Sequence, residues 1–530
     1  VAGAQDAVRQ TLAGAEHLAT RRLGAVVLFA AALVGYAIDA VAWPLTPGRD
    51  LDEYLLFSLQ AFDRETVLPW AMLFRTPGTP LVVGPALELF DGALAEPVSA
   101  VLYAVSIVAW TGAARFWGPR VAVATAPILL LNPAYAAMFH EFGSELVMAA
   151  GFAVLALLVV RAAWQPTIAR WVAAGAAAAF VVLVRPGNIV LLALAAVPLL
   201  ARAAWRERLA ATAAFTAAAI LPLVVWVTHN GLRYDEWGVA RGGKAVVPFY
   251  RVLLTDHLTE PDAGPASRRL ADAVRRALVT REPYRSYRVS TDDVFERATA
   301  RVHEDMYILS DEQFGWDSDY GVLRSAALEA IERHPGAYAS GVADTFWQQL
   351  SEPYYRLAPG RQPAPEPSGA DAGAVPAPSE GQLIPGGQNL WISRPDQAIR
   401  QVWDSPTTFH FAFADPSLRP RFDELVRRRD DLLGRLPDRA GSTWLATRLN
   451  QLGRWYPRPV LWLALGLVAI AVRRPVQWPL LGALATSGLL VVVLNALGLP
   501  PDPHYMLPVA PAFIVFGLGG LLGVRKPGAA

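Results

Sequence analysis

The sequence predicts an α-helical polytopic membrane protein with about ten transmembrane helices and a mainly helical water-facing domain. Three observations predict it. The 530-residue chain is 54% hydrophobic with a mean hydropathy of +0.30, yet 18% of it is charged. Arginines mark every second turn between the apolar runs. A polar stretch from His229 to about Arg454 contains no spanning run. Long apolar segments alternating with one large polar part reconcile all three.

The net charge of +1 gives no reason to expect a nucleic-acid partner. There is no cysteine, which excludes disulfides, thiolate catalysis and Cys-ligated zinc. No Gly-x-Ser-x-Gly elbow, His-Glu-x-x-His helix or Walker motif occurs, so serine hydrolases, zincins and nucleotide-driven pumps have no support.

The first predicted span is about Leu23–Trp43, with Arg21 and Arg22 before it. That charge places the N-terminus in the cytoplasm. An amphipathic lead, Gln5–Arg22, precedes the span without an evident small-residue cleavage site, so the span reads as a retained helix and not a signal peptide. The loop 44–97 then falls outside. Within it, the stretch from Tyr54 to Phe62 predicts an amphipathic helix on the membrane surface. Arg75-Thr76-Pro77-Gly78-Thr79-Pro80 breaks what precedes it, and Leu81–Phe90 is too short to span.

Further spans follow at about Val98–Ala114, Val121–Ala137, Leu146–Val160, Trp171–Val184, Asn188–Leu200 and Leu209–Val227. Arg115 with Arg120, Arg161 with Arg170, and Arg202 with Arg206 and Arg208 mark inside turns. The turn Tyr135–Glu145 and Arg185-Pro186-Gly187 fall outside. Residues 230–456 form the outer domain, with helices predicted over Ala266–Leu278, Asp292–Leu309, Tyr320–Arg333, Tyr338–Leu350 and Pro420–Leu436. The segment 358–387 is rich in Pro, Gly, Ala and Ser and reads as a flexible connector. Spans at about Val460–Val472, Pro479–Leu497 and Met506–Val524 close the chain. Arg473 and Arg474, and later Arg525 and Lys526, lie inside, so both termini are cytoplasmic. The chain thus divides into a transmembrane module of about seven spans over 1–229, the outer domain, and a module of about three spans over 457–530.

This topology gathers the chemically capable residues on the outer face. Asp50, Asp52 and Glu53 follow the first span, flanked by Arg49 and Tyr54; the plainer reading is a solvated loop with Asp50 as a helix N-cap. His140, Glu141 and Glu145 form a second polar wall or a set of metal ligands, against a plainer helix-capping turn. Arg185 is a phosphate-binding candidate, since an outside arginine goes against the positive-inside bias; otherwise it snorkels. Arg241-Gly242-Gly243-Lys244 places two glycines between two cations, either as an anion nest or as a surface turn. His504 and Tyr505 open the last span, as an interfacial anchor or as contacts to a lipid-linked phosphate or sugar.

The pattern resembles the C-type glycosyltransferase superfamily (GT-C), polytopic enzymes that use polyprenyl-phosphate-linked sugars. Arg49-Asp50-Leu51-Asp52-Glu53-Tyr54-Leu55 is similar to the Asp-bearing first outer loop of that family. Arg75-Thr76-Pro77-Gly78-Thr79-Pro80-Leu81 is similar to its R-x-P-x-x-P-L segment, Gly143-Ser144-Glu145 to the Ser-Glu opening the fourth helix, and His504-Tyr505-Met506-Leu507-Pro508-Val509-Ala510-Pro511 to its Arg-Tyr segment. His504 stands where Arg is commoner. The resemblance covers about residues 23–230 and 457–524 and suggests no fold for the outer domain.

It implies an inverting transfer from a polyprenyl-phosphate sugar to an extracytoplasmic glycan or glycolipid acceptor. Asp50 would be the base, with Asp52 an alternative and Glu53 beside them. Arg75, Arg185, Lys244, Arg241 and His504 would bind donor phosphate. Tyr54, His140, Glu141, Glu145 and Tyr505 would line the sugar and acceptor sites. The resemblance fixes no cofactor; a divalent metal is one candidate to neutralise the leaving group. The Ala-, Arg- and Pro-rich composition suits a GC-rich bacterium, whose plasma membrane would hold the protein. There a cell-wall polysaccharide is the expected acceptor and decaprenyl-phosphate arabinofuranose the expected donor. Two alternatives are a transporter or flippase of lipid-linked sugars and a non-catalytic scaffold that binds an envelope glycan. The first should show charges within spans and an inverted repeat; only Asp39 lies within a span, and no inverted repeat is visible.

Overall fold

The computed structural model describes residues 22–200, 203–361, 373–374, 377–385 and 399–524, with only the backbone described at 22, 244–246 and 373–374. The lead 5–21 with Arg21, together with Arg202, Arg525, Lys526, the Lys244 side chain and half of the 358–387 connector, lies outside the described residues.

The ten apolar stretches are all helical, but not of one kind. Among the described residues seven are long and apolar enough to cross a membrane: Leu23–Ala42, Ala95–Trp117, Ser144–Trp164, Trp205–Tyr234, Thr443–Arg473, Trp478–Gly498 and Pro503–Leu522. Three are shorter: Pro119–Leu130, Ile168–Val184 and Pro186–Leu200. The span expected over Val121–Ala137 is interrupted because Pro133 cannot continue a hydrogen-bonded helix. Asn132 caps the next turn there, its side chain accepting from Tyr135 N at 3.2 Å, and a separate helix Pro133–Met138 begins. Pro186–Leu200 is wound as a 15-residue 3-10 helix. At roughly 2.0 Å rise per residue it reaches about 30 Å, the thickness of a bilayer core, where an α-helix of that length would fall short. Helix Thr443–Trp455 ends at Tyr456, and Pro459–Arg473 restarts after Arg458.

Two large hydrophobic cores form among the described residues, beside a small cluster around Trp43. One joins the apolar helices through side chains such as Trp110, Phe152, Trp171 and Phe513. The other lies in the polar part, around Leu270, Val302, Met306, Leu323 and Phe422. The predicted outer-domain stretches are helical at Pro265–Ala273, Gly321–Arg333, Pro335–Ser351 and Arg419–Gly434, while the one helix expected over Asp292–Leu309 is two, Thr291–Glu296 and Ala300–Phe314. A small antiparallel sheet joins them, with Thr408–Phe413 between Ile399–Trp403 and Gly373–Ala374.

Helix Leu51–Gln60 connects the cores. Leu51, Tyr54 and Leu55, at the i, i+3, i+4 spacing of one helix face, pack into the first. Leu56 and Phe57 pack into the second. The expectation of a helix lying on a membrane surface is therefore corrected: this helix is covered on two sides by protein. Its end is fixed by Gln60, whose Oε1 accepts from Val67 N and Leu68 N at 2.9 Å each, and whose Nε2 donates to Leu56 O at 2.9 Å. Each buried N–H left unpaired would cost roughly 1–3 kcal/mol, so one side chain holds the turn that follows.

Two backbone contacts draw the loops of this face together. Thr46–Pro47 pairs in parallel with Glu141–Phe142, and Gly48 N donates to Phe142 O at 3.0 Å. Gly78 N donates to Leu183 O at 2.7 Å. Neither site admits a side chain, since a Cβ on Gly48 would lie 2.9 Å from Phe142 C and one on Gly78 would lie 2.6 Å from Leu183 O. These glycines bring the loop after the first span against the turns that carry Glu145 and Arg185.

Candidate active site

Asp50 immediately precedes helix Leu51–Gln60 with left-handed backbone angles, φ 62° and ψ 19°. Asp is one of the few residues other than glycine that tolerate this region well. Its carboxylate makes no capping bond to the helix, so the plainer N-cap reading does not hold. It is paired instead with Arg75, at 3.1 Å from Nη2 to Oδ2. Arg75 follows helix Pro69–Phe74 in extended backbone, also donates from Nε to Glu53 Oε2 at 2.6 Å, and lies 5.3 Å from the Tyr54 ring centroid. Glu53 is buried. Burial pushes its carboxyl up to about 7, with Arg75 opposing and the Asp50 charge adding to the rise. One guanidinium serves two carboxylates here, and Glu53 is the more buried of the two.

Arg185 ends helix Ile168–Val184, where a cation complements the helix dipole. Its Nε donates to Ser144 Oγ at 2.8 Å and its Nη2 is ion-paired with Glu145. Arg49 reaches Asp502 at 3.5 Å and lies 5.0 Å from the Tyr505 ring centroid.

These side chains converge on a cavity of about 240 Å³. Its polar lining includes Asp50, Tyr54, Arg49, Arg75, Arg185 and Tyr505; Phe74, Met148, Val184, Val491 and Leu494 form an apolar wall. Three arginines to one carboxylate make the lining net positive. A cationic head beside an apolar wall suits an amphiphilic anion.

Not every predicted residue reaches the cavity. Asp52 does not line it, and Glu53 and Glu145 stand behind their arginines. None of His140, Glu141 and His504 lines it either, and Glu141 and His504 belong to a neighbouring cluster. Glu141 accepts from Tyr354 OH at 2.9 Å and lies 3.4 Å from Arg356 Nη1 and 3.6 Å from His504 Nδ1. His140 is fully buried and stacked on Tyr36 with ring centroids 4.2 Å apart. Burial, then the charges of Arg356 and Arg439, hold it well below the usual histidine range, so it is neutral. His140, Glu141 and Glu145 thus have separate surroundings, and among the described residues no group of three or more His, Cys, Asp or Glu could hold a metal ion.

Arg241 corrects the anion-nest expectation. Its side chain is 0% exposed and pairs with Glu236 at 2.8 Å and Asp311 at 2.9 Å, with Trp316 O at 2.6 Å and the Trp316 ring below it. It is held inside the polar part and does not line the cavity.

Sequence reasoning missed three participants. Arg49 was noted only as a flank, although it lines the cavity. Asn495 also lines it and donates to Tyr505 O at 3.2 Å. Arg356 donates to Ala137 O at 2.6 Å, His140 O at 3.0 Å and Thr46 Oγ1 at 2.7 Å, tying the polar part to the face that carries the site. Asn495 lay inside an apolar span, where a lone amide was the available signal. Arg356 had none.

Residues 88–230 match the family model described as dolichyl-phosphate-mannose-protein mannosyltransferase. The matched segment contains Glu145 and Arg185 and ends before the polar part. Comparison with curated proteins gives no match. Two solved structures of ArnT from Cupriavidus metallidurans align with the chain. One, bound to undecaprenyl phosphate, is 15% identical with a TM-score of 0.32, covering 95% of this chain and 78% of that one. The other, in the apo state, is 16% identical with a TM-score of 0.32, covering 94% and 78%. A TM-score of that size supports no conclusion about fold or activity. Over residues 88–230 the chain is thus similar to that mannosyltransferase family, within a helical polytopic membrane protein.

Proposed function

We propose that this membrane glycosyltransferase moves a sugar from a polyprenyl-phosphate donor to an acceptor hydroxyl on the extracytoplasmic side, with inversion at the anomeric carbon. The observation that carries the proposal is the single cavity in which Asp50, Arg75 and Arg185 meet beside an apolar wall. Asp50 is the base: it takes the acceptor proton as the acceptor oxygen bonds to the anomeric carbon. The bond from that carbon to the phosphate oxygen breaks, and polyprenyl phosphate leaves with the electron pair. Arg185 and Arg49 stabilise its growing negative charge, and Arg75 holds Asp50 in place while adding to the positive field. Tyr54 and Tyr505 give the sugar flat surfaces to pack on, and the apolar wall takes the first part of the prenyl chain. Glu145 fixes Arg185, and Glu141 with His504 fixes the turn that presents Tyr505. The acceptor is a cell-envelope glycan, with arabinofuranose as the first sugar to try.

The test uses membranes containing the full chain and a panel of labelled polyprenyl-phosphate sugars that includes decaprenyl-phosphate arabinofuranose. Transfer to a glycan acceptor with inverted anomeric configuration is the expected result. Failure of every donor, or an Asp50→Asn variant that transfers like the parent, overturns the proposal.

A further inference from the structure

A second, larger cavity lies at the opposite ends of the same helices. It has a volume of about 700 Å³ and is walled by the first turns of Leu23–Ala42, the last turns of Ala95–Trp117, the start of Pro119–Leu130 and the end of Ser144–Trp164. The site described above sits at the other end of these helices, where Leu23–Ala42 finishes and Ser144–Trp164 begins. A 20-residue helix separates the two by about 30 Å. The cavity exists because its wall residues are small: Gly24, Ala31, Gly112, Ala122 and Ala126 leave a gap that larger side chains would close.

Arg115 and Arg161 stand at its rim, on two different helices. Both are exposed, and neither side chain has a hydrogen bond or carboxylate partner among the described residues. Arg185 and Arg251, by contrast, are paired with Glu145 and Asp256. Two unpaired guanidiniums at the end of an apolar gap match a lipid in charge and in polarity. A phosphate would lie between the arginines, and an acyl chain would fill the space walled by Gly112, Ala122 and Ala126.

We propose that this cavity holds an anionic phospholipid, its phosphate between Arg115 and Arg161 and one acyl chain between the helices. The site is separate from the proposed sugar-transfer site, and the proposal does not depend on that reading. Arginines that serve only to orient the chain in the membrane would make no such distinction between lipids.

The experiment measures which lipids stay on the protein. The full chain is purified in detergent with equal amounts of phosphatidylglycerol and phosphatidylcholine, and native mass spectrometry reads the lipids retained. The parent should keep phosphatidylglycerol preferentially. The double variant Arg115→Ala, Arg161→Ala should lose that preference by on the order of tenfold, about 1.4 kcal/mol. A separate variant, Ala126→Phe, fills the gap with both arginines intact and should also reduce retention. It serves as the deciding measurement if the double variant does not fold. Equal retention of both lipids by the parent, or undiminished preference in folded variants, overturns the proposal.

Discussion

Arg75 donates to Glu53 at 2.6 Å while holding Asp50 at 3.1 Å, so one cation fixes both a cavity carboxylate and the buried carboxylate behind it. The two acids are then unequal. Asp50 lines the cavity, whereas Glu53 is buried and its carboxyl sits at about 7.

That inequality extends to Asp52, which the sequence could not separate from Asp50. Only Asp50 lines the cavity. Asp50→Asn should lower sugar transfer by roughly 10²–10⁴-fold, the span expected for loss of a general base, while Asp52→Asn should stay within a few fold. Initial rates in membranes with saturating labelled donor test this. Equal losses in the two variants would remove Asp50 as the base.

Glu53 gives the protein a pH signature. The unfolded chain releases this proton near 4.5 and the folded chain near 7. Between those values the native state binds more protons, so stability falls as pH rises from about 4.5 to about 7 and is level above that. Melting temperatures at pH 5 and pH 7.5 should differ more for the parent than for Glu53→Gln, which has no proton to release. Identical pH profiles would show that Glu53 ionises normally.

Arg185 and Glu145 are coupled, and a single deletion misleads. Arg185→Ala alone leaves Glu145 buried without its cation, at a cost of roughly 3–5 kcal/mol. The pair Arg185→Ala, Glu145→Gln avoids this. It should fold, and its KM for the donor should rise at least tenfold if Arg185 carries the phosphate. Arg185→Lys keeps the charge but cannot match both the Ser144 and Glu145 contacts, so it should fall between the pair and the parent. An unchanged KM in the double variant would rule out the phosphate role.

Gly78→Ala should damage the site from a distance. The new Cβ would lie 2.6 Å from Leu183 O, and the loop must move to relieve it. A loss of about 1–3 kcal/mol is expected, together with weaker donor binding, because Arg75 lies on that loop and Arg185 two residues beyond Leu183. Thermal melts and donor titrations on one preparation read both.

Arg241→Ala separates fold from function. Its guanidinium bonds Glu236 and Asp311 within the polar part, so removal should destabilise the protein by roughly 3–5 kcal/mol. The folded fraction should bind donor like the parent. Altered donor affinity in folded protein would reopen a binding role.

Local pattern made much of this legible. Apolar length and arginine placement located the helices, and the same alternation put Asp50, Arg75, Arg185 and Tyr505 on one face. The Asn132-Pro133 break was also written locally, but it sits inside an apolar run whose hydropathy hides it. Arg241 misled for a different reason. Flanking glycines look like an anion nest, while Asp311, one of its two carboxylate partners, lies 70 residues away, and nothing local announces a pairing at that separation. Arg356 is similar: its partners Ala137 and His140 are more than 200 residues distant.

Helix Leu51–Gln60 is shared by two cores, and this makes the two halves of the protein mechanically inseparable. Any tilt of the polar part pushes on Leu56 and Phe57, and any shift among the membrane helices pushes on Leu51 and Leu55. Both displacements arrive at Asp50, one residue before the helix. A chimera that exchanges the polar part for another would have to rebuild the seat of this helix, even though none of the exchanged residues need touch the sugar.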